Sequence, residues 1–93
     1  MYQKTLIGSS KLTVSSSELF LDYYLIKKKK KQCEEDGYGI RITVYDPRVK
    51  TSESEQVYSI FTRREDVESL CYILMLNQVT PVTLWDIIED YIL

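Results

Sequence analysis

Thr83-Leu84-Trp85-Asp86-Ile87-Ile88-Glu89-Asp90-Tyr91-Ile92 nearly completes the chain, with large apolar residues at 84, 87, 88, 91 and 92 and acids at 86, 89 and 90. That spacing, i, i+3, i+4, i+7, i+8, gathers the first set on one side of an α-helix and the acids on the other. So short a helix is unstable in water by itself and needs a surface on which to bury its stripe. Its start reads in two ways. Thr83 with Asp86 makes a box-like cap, supported by Val82 and Ile87 at staple positions, while Pro81 also suits the first helical position behind a Thr80 cap.

Working back along the chain, Thr62 with Glu65 three residues on is a capping box, and Asp66 adds favourable negative charge to the first turn of a preceding helix. Val67, Leu70, Cys71 and Leu74 form the core stripe of that helix. Tyr72, Ile73, Met75 and Leu76 leave its far end apolar on nearly every side, so that end is buried or is an interface.

The platform lies further upstream. Tyr38-Gly39-Ile40-Arg41-Ile42-Thr43-Val44-Tyr45 alternates Tyr, Ile, Ile, Val with Gly, Arg, Thr, Tyr, the period-two pattern of a half-buried strand, and Asp46-Pro47 ends it. Leu19 to Ile26 is apolar and aromatic at both parities, as in a central strand covered in part on each side. Val57 to Phe61 is a third strand, after a polar loop from Arg48 to Glu55. Tyr2 to Ser17 alternates weakly and supplies one short edge strand or two. The fold class that follows is α+β: a single domain over residues 1–93, with an antiparallel sheet of three to four strands followed by two C-terminal helices packed on one face, the other face partly exposed.

Composition bounds what such a domain does. Ninety-three residues with 44% apolar and 28% charged side chains make a globular domain with a thin core, which a dimer interface would reinforce. The net charge of −2 is unevenly spread: residues 1–32 carry seven basic and two acidic side chains, and residues 33–93 five basic and twelve acidic. A chain mostly this acidic is no general nucleic-acid binder, so any anion site must be local. Cys33 and Cys71 form no CxxC pair and there is no histidine, which removes zinc-finger, redox-motif and disulfide-framework readings and points to free thiols in a reducing cytoplasm. The N-terminal residues show no signal-peptide pattern, and the longest apolar run, 70–76, is far short of the roughly 20 residues of a membrane span. The expected location is cytoplasmic.

Catalytic motifs are lacking. GxSxG and SxxK are absent, Gly8, Gly37 and Gly39 do not form a phosphate loop, and the neighbouring acids Glu34-Glu35-Asp36 and Glu89-Asp90 read as solvated surface. No catalytic residue, cofactor or metal is expected.

The stretch Tyr38-Gly39-Ile40-Arg41-Ile42, taken with Val79-Thr80-Pro81-Val82-Thr83-Leu84-Trp85-Asp86-Ile87-Ile88-Glu89-Asp90-Tyr91, resembles a family of small uncharacterised proteins from clostridia and related Gram-positive anaerobes. The resemblance runs nearly the full length, and its distinctive part is the closing TPxxLxDxIEDY-like segment. It implies the extent of the domain and a clostridial cytoplasm, and it transfers no activity.

Two local features suggest surfaces. Trp85, at the flank of the second helix's stripe, together with Tyr72, Met75 and Leu76, is a candidate surface for a protein partner or a second copy of the chain. Lys27, Lys28, Lys29, Lys30 and Lys31 are candidate anion-binding residues on a long hairpin connection running to Gly37, and Tyr23, Tyr24, Tyr38, Tyr45 and Tyr58 fall on strands, where aromatics can stack bases. The lysines carry no interleaved aromatic or arginine and are followed by Glu34-Glu35-Asp36, so a solvated hairpin is favoured over a nucleic-acid finger. The preferred function is a non-enzymatic interaction or regulatory module acting through its helical end, with nucleic-acid binding as the alternative.

Overall fold

The computed structural model describes residues 2–28, 37–61 and 63–92. Four strands, β1 (Tyr2–Val14), β2 (Ser17–Lys28), β3 (Gly37–Asp46) and β4 (Thr51–Phe61), form one antiparallel sheet in the order β1-β2-β3-β4. They are followed by α1 (Arg64–Leu76), a 3₁₀ turn (Pro81–Thr83) and α2 (Leu84–Ile92). The α+β architecture expected from the alternation of periods is the one observed.

Both helices lie on one side of the sheet. From the strands, Leu21, Tyr23, Leu25, Ile40, Ile42 and Val57 point into the core; from the helical layer come Val67, Leu70, Cys71, Leu74, Val79, Leu84 and Ile88. The stripe read from the sequence of α1 is the buried face of that helix. Burying such side chains stabilises each by about 1.5–3 kcal/mol relative to exposure, and this holds two short helices in place.

The N-terminal segment is one 13-residue strand rather than a short one or two. Val14 pairs with Ser17 across the two-residue turn Ser15-Ser16, whose φ values of 49° and 66° are both left-handed. Such a turn matches the twist of a hairpin, and it was hidden because serine, not Asn-Gly, occupies it. A bulge between Leu6 and Gly8 then flips the facing of the strand. At Gly8 a side chain's Cβ would come within 2.5 Å of Met75 Sδ, so glycine lets α1 sit down on β1. Gly39 is the stricter case: a Cβ there would collide with the Val57 carbonyl, where an irregularity in β4 brings the two backbones together.

Three further boundaries differ from the sequence reading. The hairpin connection is shorter than 27–37, because Lys27 and Lys28 pair with Tyr38 and Gly37 in the ladder. The polar loop after β3 ends at Lys50, whose φ is 53°, and Thr51 to Glu55 belong to β4. A ladder needs only backbone donors and acceptors, so on an edge strand Ser and Glu can stand in solvent. Arg63, not Thr62, holds the N-cap of α1, without a side-chain cap bond; Thr62 lies outside the described residues.

The Thr83–Asp86 cap is replaced by its competitor. Thr80 is the N-cap, Pro81 is the first residue of the 3₁₀ turn, and Thr83 donates from both backbone N and Oγ1 to Thr80 O at 3.2 and 3.3 Å. Val82 is accordingly thrown outward, 81% exposed, and staples nothing. Between the helices, Val79 N bonds Leu74 O and Gln78 N bonds Met75 O, a Schellman ending with Gln78 at φ 51°. Glutamine stands where glycine is usual, and its Nε2 reaches Lys11 O at 2.6 Å, anchoring the turn to β1.

Candidate interaction surfaces

Three surfaces of the fold are available to a partner. The outward side of the helical layer carries Tyr72, Ile73 and Leu76 from α1, Val82 from the 3₁₀ turn and Trp85 from α2, all exposed; Leu76 reaches 80% and Trp85 48%. The stripe facing the sheet uses up the other faces of these helices, so the outer residues have no intramolecular surface to cover them. Met75 differs from its neighbours. It is half-buried and packs against the core, over Gly8, so among Trp85, Tyr72, Met75 and Leu76 it alone turns inward. Around Trp85, α2 exposes Asp86, Glu89 and Asp90 and has no basic residue in its last turn.

The second surface is the sheet face away from the helices. The five strand tyrosines divide between the faces. Tyr23 is fully buried in the core and Tyr38 packs against it, whereas Tyr24, Tyr45 and Tyr58 belong to the opposite face. Phe20 pairs with Tyr45 and Leu6 with Tyr24, and Phe20, Tyr45 and Leu6 are 41%, 40% and 53% exposed. Five charges accompany them, among them Lys11 and Glu18, which pair at 3.7 Å towards the β1–β2 turn. Lys4 Nζ lies 4.6 Å above the Tyr24 ring; the Arg41 guanidinium donates to Ser54 Oγ at 3.1 Å and Gln56 Oε1 at 3.4 Å; and Asp22 accepts from Ser9 Oγ at 2.6 Å. Gln56 Nε2 donates to the Tyr58 hydroxyl beside them. The double-sided pattern of β2 concealed this row in the sequence, because Leu21-Tyr23-Leu25 and Phe20-Tyr24-Ile26 look equally apolar until the helices choose a side.

A third, shallower surface is a hollow of about 260 Å³ at the far end of the helix-bearing face, lined by Leu19, Val44, Asp46, Val49, Thr51 and Glu53. It arises from length. A 13-residue helix spans about 20 Å, while a 13-residue strand spans about 43 Å, so the helical layer stops short of the sheet's end. Asp46 on its rim is held in its charged form, its carboxyl lowered by hydrogen bonds from Arg48, which donates through Nη2 at 3.0 Å.

Of the lysine run, Lys27 lies in the ladder with its ammonium 5.8 Å from the Tyr38 ring, and Lys28 is the last residue of β2. Lys29, Lys30 and Lys31 lie outside the described residues, as do Cys33 and Glu34-Glu35-Asp36. Of the run, then, the described residues Lys27 and Lys28 belong to β2.

Cys71 is poorly placed to act as a nucleophile. Burial, with a smaller push from Glu68, raises the Cys71 thiol to about 12, and its sulfur sits 4.0 Å from the Tyr24 carbonyl oxygen. A thiol this reluctant to ionise is a core side chain. Burial likewise raises the Tyr23 phenol to about 12. Among the described residues no three Cys, Asp or Glu side chains gather closely enough to hold a metal ion, and no helix is long and apolar enough to cross a membrane.

Set against known proteins, the chain matches no curated protein and no solved structure. One family model, described as a family of unknown function, matches residues 3–93.

Proposed function

Because the chain belongs to the family DUF6514, whose function is unknown, kinship supplies no activity, and we propose that it is a non-enzymatic protein-interaction module that engages its partner through the outer side of its helical layer. The observation that carries this reading is the position of Tyr72, Leu76, Val82 and Trp85: large apolar side chains, all exposed, on α1, the 3₁₀ turn and α2, whose other faces are already committed to the core. Solvated apolar side chains grouped on one layer, with an aromatic anchor among them, are what a binding surface offers. Asp86, Glu89 and Asp90 beside Trp85 select a partner with a basic rim around an apolar centre. The cytoplasm is the proposed setting.

Site-specific photocrosslinking in the native cell tests this. A benzophenone side chain at position 76 or 85 should capture one and the same protein, a control at Lys50 should not, and Asp86→Lys with Glu89→Lys should abolish capture. Different adducts from 76 and 85, or none, would overturn the reading.

A further inference from the structure

β1 is an edge strand, with β2 on one side and, among the described residues, no strand on the other. Val14 and Ser17 flank a two-residue turn, so Val14 O accepts from Ser17 N–H, and bonded and unbonded pairs alternate back from there along a regular register. Leu12 and Ser10 therefore bond to β2, while Thr13, Lys11 and Ser9 turn their N–H and C=O groups to the open edge. The Lys11 carbonyl is accordingly free to accept from Gln78 Nε2, at 2.6 Å.

Unpaired backbone groups along an edge are a template for a further strand. Elsewhere this sheet protects its edges by other means. The first half of β1 is interrupted by the bulge between Leu6 and Gly8, and β4 carries Glu53 and Glu55 with no basic residue, so two copies of it repel. Residues 9–13 have neither device. Their register is unbroken, and the charge of Lys11, which would ordinarily keep a second copy away, is met by Glu18 at 3.7 Å. In antiparallel pairing of two copies about Lys11, Ser9 would oppose Thr13, two small uncharged side chains.

We infer that residues 9–13 of β1 are a strand-pairing surface for a second copy of this chain, and that Gln78 holds it shut. Its Nε2 occupies Lys11 O, the middle one of the three acceptors on that edge, and lies 3.4 Å from Ser10 Oγ. Gln78 sits at φ 51°, a left-handed conformation that glycine adopts freely at a helix end and glutamine does not. Glycine would complete the Schellman ending equally well, because that ending uses only the backbone N–H of residue 78, bonded to Met75 O at 3.1 Å. What glycine lacks is an amide that reaches the edge.

Sedimentation velocity on the full chain, with amide exchange followed by NMR, tests this. Gln78→Gly should keep its circular dichroism, gain a species of twice the 11.0 kDa chain mass that grows with concentration up to about 100 µM, and slow exchange at Lys11 and Thr13 by about tenfold or more. Lys11→Pro in the same background should return it to wild-type sedimentation, because that N–H takes no part in the β1–β2 ladder while a strand added at the edge needs it. Gln78→Asn, which tolerates the left-handed conformation but is one methylene short of the edge, serves as a second opening variant. If both variants at 78 sediment as the wild type does, the proposal is overturned. So it is by association that survives Lys11→Pro, by a wild type whose Lys11 amide is already slowed as concentration rises, or by loss of the fold in both variants, which would make Gln78 a structural residue only. None of these outcomes bears on crosslinking from positions 76 and 85.

Discussion

The Tyr23 hydroxyl donates to the Val79 carbonyl oxygen at 2.9 Å, from the middle of the sheet to the turn between the helices. Both residues are buried, so the bond fixes where α1 ends and the 3₁₀ turn begins relative to β2. Tyr23→Phe keeps the ring and strands the carbonyl. We expect a loss of about 1–3 kcal/mol, read as a lower urea midpoint with an unchanged slope; an unaltered midpoint would show the bond to be dispensable.

The two close-approach glycines should respond unequally. A methyl at Gly39 meets Val57 backbone, which cannot yield without breaking the β3–β4 ladder, whereas a methyl at Gly8 meets the end of the flexible Met75 side chain. Gly39→Ala should cost about 3 kcal/mol or more, and Gly8→Ala about 1 kcal/mol. Equal losses in thermal melts of the two variants would contradict this difference in what gives way.

Alkaline pH should unfold the protein through two core side chains. Cys71 and Tyr23 keep their protons to about pH 12 when folded, but ionise near 9.0 and 10.0 in the unfolded chain. Between those values the folded state binds more protons, so stability is complete below about pH 9 and declines as pH rises towards 12, by an amount on the order of a few kcal/mol. Urea midpoints measured from pH 8 to 11 should fall, and in Cys71→Ala the decline should begin about one pH unit later. A flat profile would show that neither group is as well shielded as the fold implies.

Leu74 and Leu76 lie two residues apart on α1, one fully buried and the other 80% exposed. Leu74→Ala should destabilise by about 2–5 kcal/mol through the cavity it leaves, and Leu76→Ala should change stability by no more than about 0.5 kcal/mol. Leu76 would therefore lose partner capture without loss of fold. Chemical denaturation of both variants checks the contrast, which fails if Leu76→Ala unfolds the helix.

The stripe of α1, the Leu84, Ile87 and Ile88 part of the α2 stripe (the side chains of Tyr91 and Ile92 lie outside what is described), the alternation in β3 and the order of sheet before helices were legible along the chain, because each depends on side-chain periodicity within one element. Asp46-Pro47 likewise marked the end of β3. The candidate surface was legible in part: Tyr72, Leu76 and Trp85 are outward, but Met75, equally apolar and adjacent, turns in because Gly8 on a distant strand makes room for its sulfur.

What tertiary structure alone decided was sidedness. β2 carries large apolar residues at both parities, and only docking of the helices made Leu21, Tyr23 and Leu25 the core while leaving Phe20 and Tyr24 to the other face. The same holds for β1 and for residues 51–55, whose strand character comes from backbone pairing with a neighbour rather than from their own side chains. Periodicity is a local property that any ten residues express by themselves. Which face meets water, and which glycine must be a glycine, depends on atoms brought together from distant parts of the chain.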